Sequence, residues 1–330
     1  MFLGIEIGGT KLQLGVGTGH GPPFAAFRRL DVDANRGAAG ILEQIERAGR
    51  ELMSEFRFLA VGFGFGGPIN GPAGIVTTSH QVAGWDNFPL AEWCTKTFGV
   101  PTFLGNDCDM AALAEARFGG GRGKRGVFYV TVGTGVGGGL VLDGALYGAH
   151  RPAAAEIGHL RPGLDATEPS QTIESISSGR GIEMAIRAAL VQSPSGSRDA
   201  ADLLGRCRQD PQQLTGKMVA DAAVAGNVLA RRVMDRACQA LGWGIAQVIT
   251  LLAVEVVIVG GGVSLAGPTI FFEPLRRHVH RYVFPPLRDS YEIVPARLGE
   301  EVVVHGAVAM AAARYAESSP PDVRSELSCR

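Results

Sequence analysis

A pattern of strand, glycine-rich turn and strand occurs twice in this chain and constrains the fold more than any other feature. The first copy, at residues 2–17, reads FLGIEI, GGT and KLQLGVG. The second, at residues 127–148, reads VFYVTV, GTGVGGG and LVLDGALYG. Strands joined by turns this short run antiparallel, so each copy predicts a hairpin and excludes wholly parallel sheets. The repetition predicts two related lobes built on one plan.

Helical periodicity and short apolar runs alternate along the rest of the chain, which indicates an α/β fold. Asn106 or Asp107 is placed to cap a helix that ends at Phe118. Residues 150–180 show no regular pattern. The other predicted helices are 37–56, about 89–98, 181–192, 217–248 and 305–317. The other predicted strands are 59–65, 100–104 and a strand that begins at 255 and enters a glycine turn.

Composition excludes several classes of protein. The chain has 330 residues, which predicts two lobes, and its formal net charge of −1 without a basic block argues against nucleic-acid binding. The five cysteines form no CxxC pair, which disfavours a disulfide framework or a cysteine-rich zinc site. The longest apolar stretch is too short to span a membrane, and the first residues lack the features of a signal peptide. We therefore expect a reduced, cytoplasmic protein.

The glycine turns are better explained as phosphate sites than as a dinucleotide fingerprint. Two segments match GxGxxG, but the one that begins at Gly133 continues into a strand, and the one that begins at Gly62 runs into Pro68. Backbone N–H groups in glycine-rich turns bind phosphate oxygens well. The candidate residues are Gly8, Gly9 and Thr10 in one turn and Gly133, Thr134 and Gly135 in the other. The alternative is two ordinary tight hairpins.

Several polar residues lie where strands end. Asp107 follows a strand and precedes a helix. A carboxylate at this position can accept a proton during phosphoryl transfer. The alternative is that the Asn106–Asp107 pair only caps the helix. Glu156 and His159 can hydrogen-bond the hydroxyl groups of a sugar, although such a pair is more often structural. Glu174 is a further polar candidate, with the alternative that it is an ordinary surface residue. Gly261 and Gly262 follow an apolar strand and precede a predicted helix, whose N-terminus could approach phosphate or adenosine. The alternative is that they only form the turn that enters this helix.

The order of these segments resembles the ROK family of sugar kinases from residue 3 to about residue 265. GIEIGGTK resembles the family's first phosphate motif, VPTFLGNDCDMAALAE its Asn-Asp segment, and VTVGTGVGGGLVLDGALYGA its second phosphate motif. AAEIGHL, IESISSG and VVIVGGGVS are similar to the segments that follow, and HGAVAMAA to the closing helix, which packs on the first lobe.

The resemblance implies an actin-like ATPase (ribonuclease H-like) fold with two lobes around a cleft. The first lobe would be 1–118 plus about 303–318, the second 119–302, and 319–330 a flexible tail. It implies a kinase that uses ATP and Mg²⁺, with lobe closure excluding water, and a homodimer or homotetramer. Asp107 would be the general base. The implied sugar-binding residues are Asn106, Glu156, His159, Glu174 and Gly67. The implied nucleotide-binding residues are Glu6, Gly8, Gly9, Thr10, Lys11, Gly133, Thr134, Gly135, Gly261 and Gly262.

Three departures from the family pattern matter. The family's zinc cysteines are missing after His159, so we predict no structural zinc and a loop held another way, with Pro162 and Pro169 as candidates. Glu6 replaces the family's Asp, which adds a methylene beside the phosphates. The segment 66–68 reads GGP where the family usually has PGP, and Gln81 stands where it often has Asn, which puts the identity of the sugar in doubt.

Three functions follow from the resemblance. The leading one is phosphorylation of a hexose by ATP, with glucose and its 6-hydroxyl as the first candidates. The second is the same reaction on fructose, mannose, allose or an N-acetylhexosamine. The third is a sugar sensor without turnover. The family's repressors carry an N-terminal helix-turn-helix domain, whereas this sequence begins at the phosphate motif, so a repressor is not expected.

Overall fold

The computed structural model describes residues 1–79, 81–148, 151 and 153–318. The predicted tail at 319–330 lies outside them. The strands of the described part are β1 Phe2–Ile7, β2 Lys11–Gly17, β3 Ala26–Asp31, β4 Ala60–Phe65, β5 Ile69–Asn70, β6 Ile75–Val76, β7 Thr102–Asn106, β8 Gly126–Val132, β9 Val136–Leu142, β10 Ala145–Leu146, β11 Val256–Gly260 and β12 Glu292–Pro295. Its helices are α1 Gly37–Glu55, α2 Leu90–Phe98, α3 Asp107–Phe118, α4 Ile173–Ser177, α5 Gly179–Val191, α6 Arg198–Arg206, α7 Gly216–Val224, α8 Val228–Leu252, α9 Glu273–Tyr282 and α10 Val302–Ser318.

The first sheet has the strand order β3-β2-β1-β4-β7. β1 pairs antiparallel with β2, as the first hairpin predicts, and parallel with β4, which pairs parallel with β7. Every residue of β1 and of β4 is buried. Central strands covered on both faces are apolar along most of their length rather than alternating, and this explains the apolar run AVGFGF and, apart from Glu6, the run FLGIEI.

The second sheet repeats this plan with the order β10-β9-β8-β11-β12. β8 and β9 form the second hairpin, β11 lies parallel beside β8, and β12 lies parallel beside β11. A hairpin followed by parallel strands therefore occurs in both sheets. The prediction of two related, mixed sheets is confirmed.

α10 returns to the first sheet and packs against α3, β1 and β4. Glycines make this close approach possible. A Cβ added to Gly62 would lie 2.1 Å from the carbonyl oxygen of Ala307, and one added to Gly306 would lie 1.9 Å from that of Met110. Neither distance is tolerable for a real side chain, so backbone meets backbone at these two places. The expectation that the closing helix packs on the first lobe is confirmed.

The described residues divide into two compact units. The first contains 1–123, 139–155 and the segment that begins at Arg297, and the second contains 124–138 and 156–296. The division expected from the sequence placed all of 119–302 in the second lobe. Residues 139–155 differ because β9 approaches α3: a Cβ on Gly139 would lie 2.7 Å from the carbonyl oxygen of Cys108.

Most predicted elements are present with shifted ends. The strand expected at 100–104 is Thr102–Asn106, and the helical region at 217–248 is two helices, α7 and α8, with Asn227 capping the second. The segment at 150–180 was expected to be irregular, yet it contains the short helix α4 and a 3-10 turn at Ile157–His159. No helix in the described part of the chain is long and apolar enough to cross a membrane.

Candidate functional site

The carboxyl ends of three parallel strands meet at one edge of the first sheet. Ile7 of β1 lies in register with Phe65 of β4, and Phe65 lies in register with Asn106 of β7. The residues that follow are the first glycine turn, the Gly66–Gly67 segment and Asp107. Ligands bind at this kind of edge in α/β folds. The structure thus brings together the site residues that the sequence predicted in the first unit.

Asp107 begins α3, and Asn106 caps it. The side-chain oxygen of Asn106 accepts the N–H of Cys108 at 2.8 Å and that of Asp109 at 3.4 Å. Its amide nitrogen donates to the carbonyl of Gly67 at 3.4 Å, so the cap also fixes the segment after β4. Asn106 is therefore a helix cap, which is the alternative that the sequence offered to a binding role. A contact with the sugar would be an additional role for this residue.

The two carboxylate oxygens of Asp107 have different surroundings. Oδ1 accepts the N–H of Cys108 at 2.8 Å, at the N-terminus of α3. Oδ2 points toward the Gly66 segment, because a Cβ on Gly66 would lie 3.2 Å from it. A helix N-terminus favours a negative charge. Asp107 therefore combines an anchored oxygen with a second oxygen directed to the segment predicted to bind sugar.

The first glycine turn is closed by a hydrogen bond from the N–H of Gly8 to the carbonyl of Lys11 at 3.0 Å. A Cβ on Gly9 would lie 1.6 Å from Oε1 of Gln81, the end of an exposed side chain. The Gln81 amide therefore lies directly against this turn. Gln81 lies near the sugar pocket expected from the sequence, and the structure adds a contact with the first glycine turn.

Glu6 and Lys11 form an ion pair on the two strands that flank this turn, with Oε1 and Nζ 3.3 Å apart. Glu6 is buried. Burial raises the pKa of Glu6 to about 7, Lys11 opposes this rise, and the negative charges of Asp107 and Glu300 add to it. The carboxyl is therefore poised to change charge near neutral pH, and Lys11 is the cation that stabilises its ionised form.

The second glycine turn lies at the corresponding edge of the second sheet. The N–H of Gly133 donates to the carbonyl of Gly135 at 2.9 Å, and the carbonyl of Gly133 accepts the N–H of Gly179, the first residue of α5, at 2.8 Å. Oε2 of Glu174 accepts the N–H of Val136 at 2.8 Å. The turn is therefore held from both sides, and Thr134 lies at its tip.

Gly261 and Gly262 emerge from the same edge, because Gly260 of β11 lies in register with Thr131 of β8. Gly261 has a φ of 87°, and a Cβ there would lie 2.5 Å from the carbonyl oxygen of Val132. A Cβ on Gly262 would meet nothing within 4 Å. The backbone conformation thus requires glycine at position 261, whereas Gly262 borders open space at the end of β11.

Glu156 and His159 lie on the short turn at Ile157–His159, with Oε2 and Nδ1 3.5 Å apart. Both side chains are exposed, at 48 % and 71 %. Gly158 anchors this turn, since a Cβ there would lie 2.1 Å from the carbonyl oxygen of Val136. The polar pair is therefore held on the backbone of β9, close in sequence to the second glycine turn.

The loop from Leu160 to Ile173 is where the family's zinc cysteines are missing. The N–H of Ile173 donates to the carbonyl of Leu160 at 2.9 Å, and the guanidinium of Arg161 donates to the carbonyl of Pro169 at 2.6 Å. Among the residues that the structure describes, no group of three or more His, Cys, Asp and Glu side chains is arranged to hold a metal ion. Of the two prolines proposed as braces, Pro169 contributes through its carbonyl.

Two contributors to the first turn were not identified from the sequence. Gln13 is almost fully buried in β2, and with its amide nitrogen facing the acceptors it donates to Oε2 of Glu6 at 2.5 Å and to the carbonyl of Glu300 at 3.0 Å. A polar residue inside the apolar run KLQLGVG is a signal that was available. Nothing in the sequence points to Glu300 as a partner of this turn, because Glu300 is 289 residues from Lys11 along the chain.

Comparisons of the sequence and of the structure with known proteins all lead to one family. The model of the ROK family matches residues 2–314. The glucokinase of Thermotoga maritima is 30 % identical over 318 residues, which cover 94 % of this chain and 96 % of that protein. A ROK family glucokinase from Streptomyces griseus, solved in complex with glucose and AMPPNP, is similar with a TM-score of 0.77 and 28 % identity, over 94 % of this chain and 98 % of that one. A ROK hexokinase from Thermus thermophilus has a TM-score of 0.79 and 26 % identity, over 96 % and 99 %. The predicted two-sheet, actin-like fold is confirmed.

Proposed function

The chain belongs to the ROK family, and we propose that within this family it is an ATP-dependent sugar kinase that phosphorylates a hexose, with glucose as the leading substrate. One observation carries the proposal: Asp107 and the first glycine turn lie at the same edge of the first sheet, in the register Ile7, Phe65 and Asn106. That arrangement puts a candidate proton acceptor beside a candidate phosphate site. The similarity to glucokinases over nearly the whole chain supports it.

In the proposed reaction, a hydroxyl of the sugar gives its proton to Asp107. The hydroxyl oxygen then forms a bond to the γ-phosphorus of ATP, and the bond between that phosphorus and the leaving ADP oxygen breaks. Oδ2 of Asp107 is the proposed acceptor, because it is directed toward the Gly66 segment, which adjoins the proposed sugar contact Gly67. The Asn106–Gly67 hydrogen bond holds the base and the proposed sugar segment at a fixed separation.

The two glycine turns are the proposed phosphate sites, through the N–H groups around Gly9, Thr10 and Thr134. Lys11 and Glu6 fit a nucleotide bound with a divalent cation, since together they offer a cation for phosphate oxygens and a carboxylate that ionises near neutral pH. Mg²⁺, when bound with ATP, neutralises charge that develops on the transferring phosphoryl group. Gly262 offers open space for the adenosine.

The proposed sugar contacts in the second unit are Glu156, His159 and Glu174. The first two side chains are exposed and paired with each other, which leaves them accessible to hydroxyl groups. Glu174 already accepts one backbone N–H, so its sugar contact would use its second oxygen. Selection among hexoses depends on a few such hydrogen bonds. We retain fructose, mannose, allose and N-acetylhexosamines as alternative substrates.

A coupled ADP-release assay with Mg²⁺ and ATP, across a panel of hexoses and N-acetylhexosamines, tests the proposal. We expect turnover with glucose, with glucose 6-phosphate as the product. Turnover only with another sugar would replace the substrate and keep the reaction. Sugar binding in calorimetry without turnover on any sugar would favour the alternative of a sensor. The homodimer or homotetramer that the family resemblance implies is tested by light scattering on the same preparation.

A further inference from the structure

Glu115 is a fully buried carboxylate that the reaction outlined above does not use. It lies two turns along α3 from Asp107. Oε1 accepts the backbone N–H groups of Arg297 and Leu298 at 2.7 and 2.9 Å, and Oε2 accepts that of Gly120 at 2.8 Å. A buried carboxylate needs such donors, and charge-assisted bonds of this kind are stronger than neutral ones. Glu115 therefore fixes two separate pieces of backbone to α3.

The segment held by Glu115 continues directly to the first glycine turn. Leu298 is followed by a 3-10 turn at Gly299–Glu301 that has no side-chain cap. The carbonyl of Glu300 in this turn accepts the ammonium of Lys11 at 3.2 Å. The same carbonyl accepts the amide of Gln13 at 3.0 Å. Lys11 in turn pairs with Glu6. Hydrogen bonds at both ends and the short backbone segment 298–300 between them thus connect Glu115 to the residues that flank the turn.

We propose that Glu115 is a positioning residue for nucleotide binding, which acts through the segment 297–301 on Lys11. The carboxylate sets the place of the Glu300 carbonyl, and this carbonyl sets the direction of the Lys11 ammonium at the first glycine turn. All of these residues belong to the first unit. The inference rests on the proposed function, because it assigns the turn to the phosphates of ATP.

Replacement of Glu115 by Gln tests this relay with little change in volume. An amide has one accepting oxygen and its nitrogen cannot accept, so it cannot hold Gly120 and the Arg297–Leu298 segment together, and its NH₂ group repels the backbone N–H that it faces. We expect the KM for ATP to rise about tenfold, which corresponds to the loss of one such bond, while the KM for the sugar stays within about twofold. The matched control is Glu255→Gln in the second unit, because Oε2 of Glu255 also accepts backbone N–H groups, those of Arg125 and Gly126. We expect no change in either KM for this control.

A double-mutant cycle with Lys11→Met separates the relay from a general loss of stability. If Glu115 acts through Lys11, Glu115→Gln has no further effect on the KM for ATP in the Lys11→Met background. Additive effects of the two changes would overturn the relay. An equal rise in the KM for ATP and the KM for the sugar would also overturn it, since that result indicates a general structural role.

Hydrogen exchange tests the relay without any kinase activity. In Glu115→Gln we expect faster exchange at the amides of Arg297, Leu298 and Gly8, the last because it donates to the carbonyl of Lys11. The amide of Gly133 in the second turn should exchange as in the parent. Faster exchange at 297–298 with an unchanged Gly8 would overturn the proposal. If the parent phosphorylates no sugar, the proposed function fails, and this comparison still decides the relay.

The parent protein alone provides a measurement if the variant does not fold. Coupling between sites is reciprocal, so a nucleotide bound at the first turn must also stabilise the residues that position it. We expect AMPPNP with Mg²⁺ to slow exchange at Arg297 and Leu298 as well as at Gly8. Protection of Gly8 without any change at 297–298 would contradict the relay. An absence of protection at all of these amides would contradict both the relay and the proposed phosphate site.

Discussion

The carboxylate of Glu174 accepts the N–H of Val136 at 2.8 Å, directly after the second glycine turn. The same carboxylate lies directly against Gly135, since a Cβ on Gly135 would lie 2.6 Å from Oε2 of Glu174. The family resemblance implies that Glu174 binds the sugar. The structure adds a bond to the turn that we propose for the phosphates. One residue thus connects the two proposed ligand sites of the second unit.

Two replacements of Glu174 separate these roles. In Glu174→Gln the side-chain oxygen can still accept the N–H of Val136, so we expect a raised KM for the sugar and a KM for ATP within about twofold. In Glu174→Ala the turn also loses its anchor, and we expect both KM values to rise, each by tenfold or more, as for a lost charge-assisted bond. Steady-state kinetics with each substrate varied in turn gives the answer. Equal KM values for ATP in both variants would show that the Val136 bond does not matter for the nucleotide.

Gly261 and Gly262 are neighbours with opposite requirements, which makes them a matched pair. Gly261→Ala places a methyl group against the carbonyl oxygen of Val132 and forces an L-residue to a φ of 87°. We expect it to lower the free energy of unfolding by roughly 1–3 kcal/mol or more. Gly262→Ala meets nothing within 4 Å and should change it by less than about 0.5 kcal/mol. Urea denaturation of both variants checks this, and equal losses would contradict the account of the turn.

His305 is buried in α10, where its ring stacks on Phe24 with the centroids 3.9 Å apart. Burial lowers the pKa of His305 to about 4, and the carboxylate of Glu301 lies 3.9 Å away. A depressed pKa means that the unfolded chain takes up the proton first as the pH falls. The stability contribution is therefore complete above the ordinary value of 6.5 and is lost progressively as the pH falls from there through about 4.

A replacement that keeps the ring tests this dependence. His305→Phe retains an aromatic partner for Phe24 and removes the titration, so its melting temperature should fall less steeply than that of the parent between pH 6.5 and pH 4. The exposed His280, changed to Gln, is the control and should leave the slope unchanged. Glu6, whose raised pKa acts in the opposite direction, is present in all three proteins. A slope in His305→Phe that equals that of the parent would exclude His305 as the cause.

The loop from Leu160 to Ile173 should not depend on zinc. Arg161 and the backbone pair of Leu160 and Ile173 hold it through hydrogen bonds. We expect dialysis against EDTA to leave the melting temperature unchanged and the protein to contain no zinc. Arg161→Ala should instead increase cleavage of this loop by a protease. A fall in melting temperature on chelation, restored by zinc, would contradict the prediction.

Much of the fold could be predicted from local pattern. The two hairpins follow from apolar runs interrupted by glycine, and α3 follows from Asn106 before a run of good helix formers. The short helix α4 was missed because its five residues are too few to show a helical period. The grouping of residues 139–155 with the first unit was also missed, since it depends on the approach of Gly139 to Cys108, a contact between distant parts of the chain.

The sequence predicts the site residues whose role follows from their immediate neighbours in the chain. It does not predict contacts between residues that are far apart in the sequence. Asp107 and the glycine turns were identified because each ends a strand. The Glu6–Lys11 pair follows from the short hairpin turn at residues 8–10, but its third partner, the carbonyl of Glu300, is a backbone atom from the far end of the chain. The same holds for Glu115, which looks like one more charged residue in a helix and proves to be fully buried.

The most direct test of the central claim is a comparison of Asp107→Asn with Asp109→Asn, its neighbour in the first turn of α3. The assay measures phosphorylation of glucose by ATP, with sugar affinity measured by calorimetry in parallel. We predict that Asp107→Asn lowers kcat by about two to four orders of magnitude, because the base is lost, and changes sugar affinity only modestly. Asp109→Asn should stay within about threefold of the parent in kcat, because the replacement keeps the volume of this half-buried side chain and Asp109 is not the proposed proton acceptor. A kcat for Asp107→Asn equal to that of the parent would contradict the assignment of Asp107 as the base.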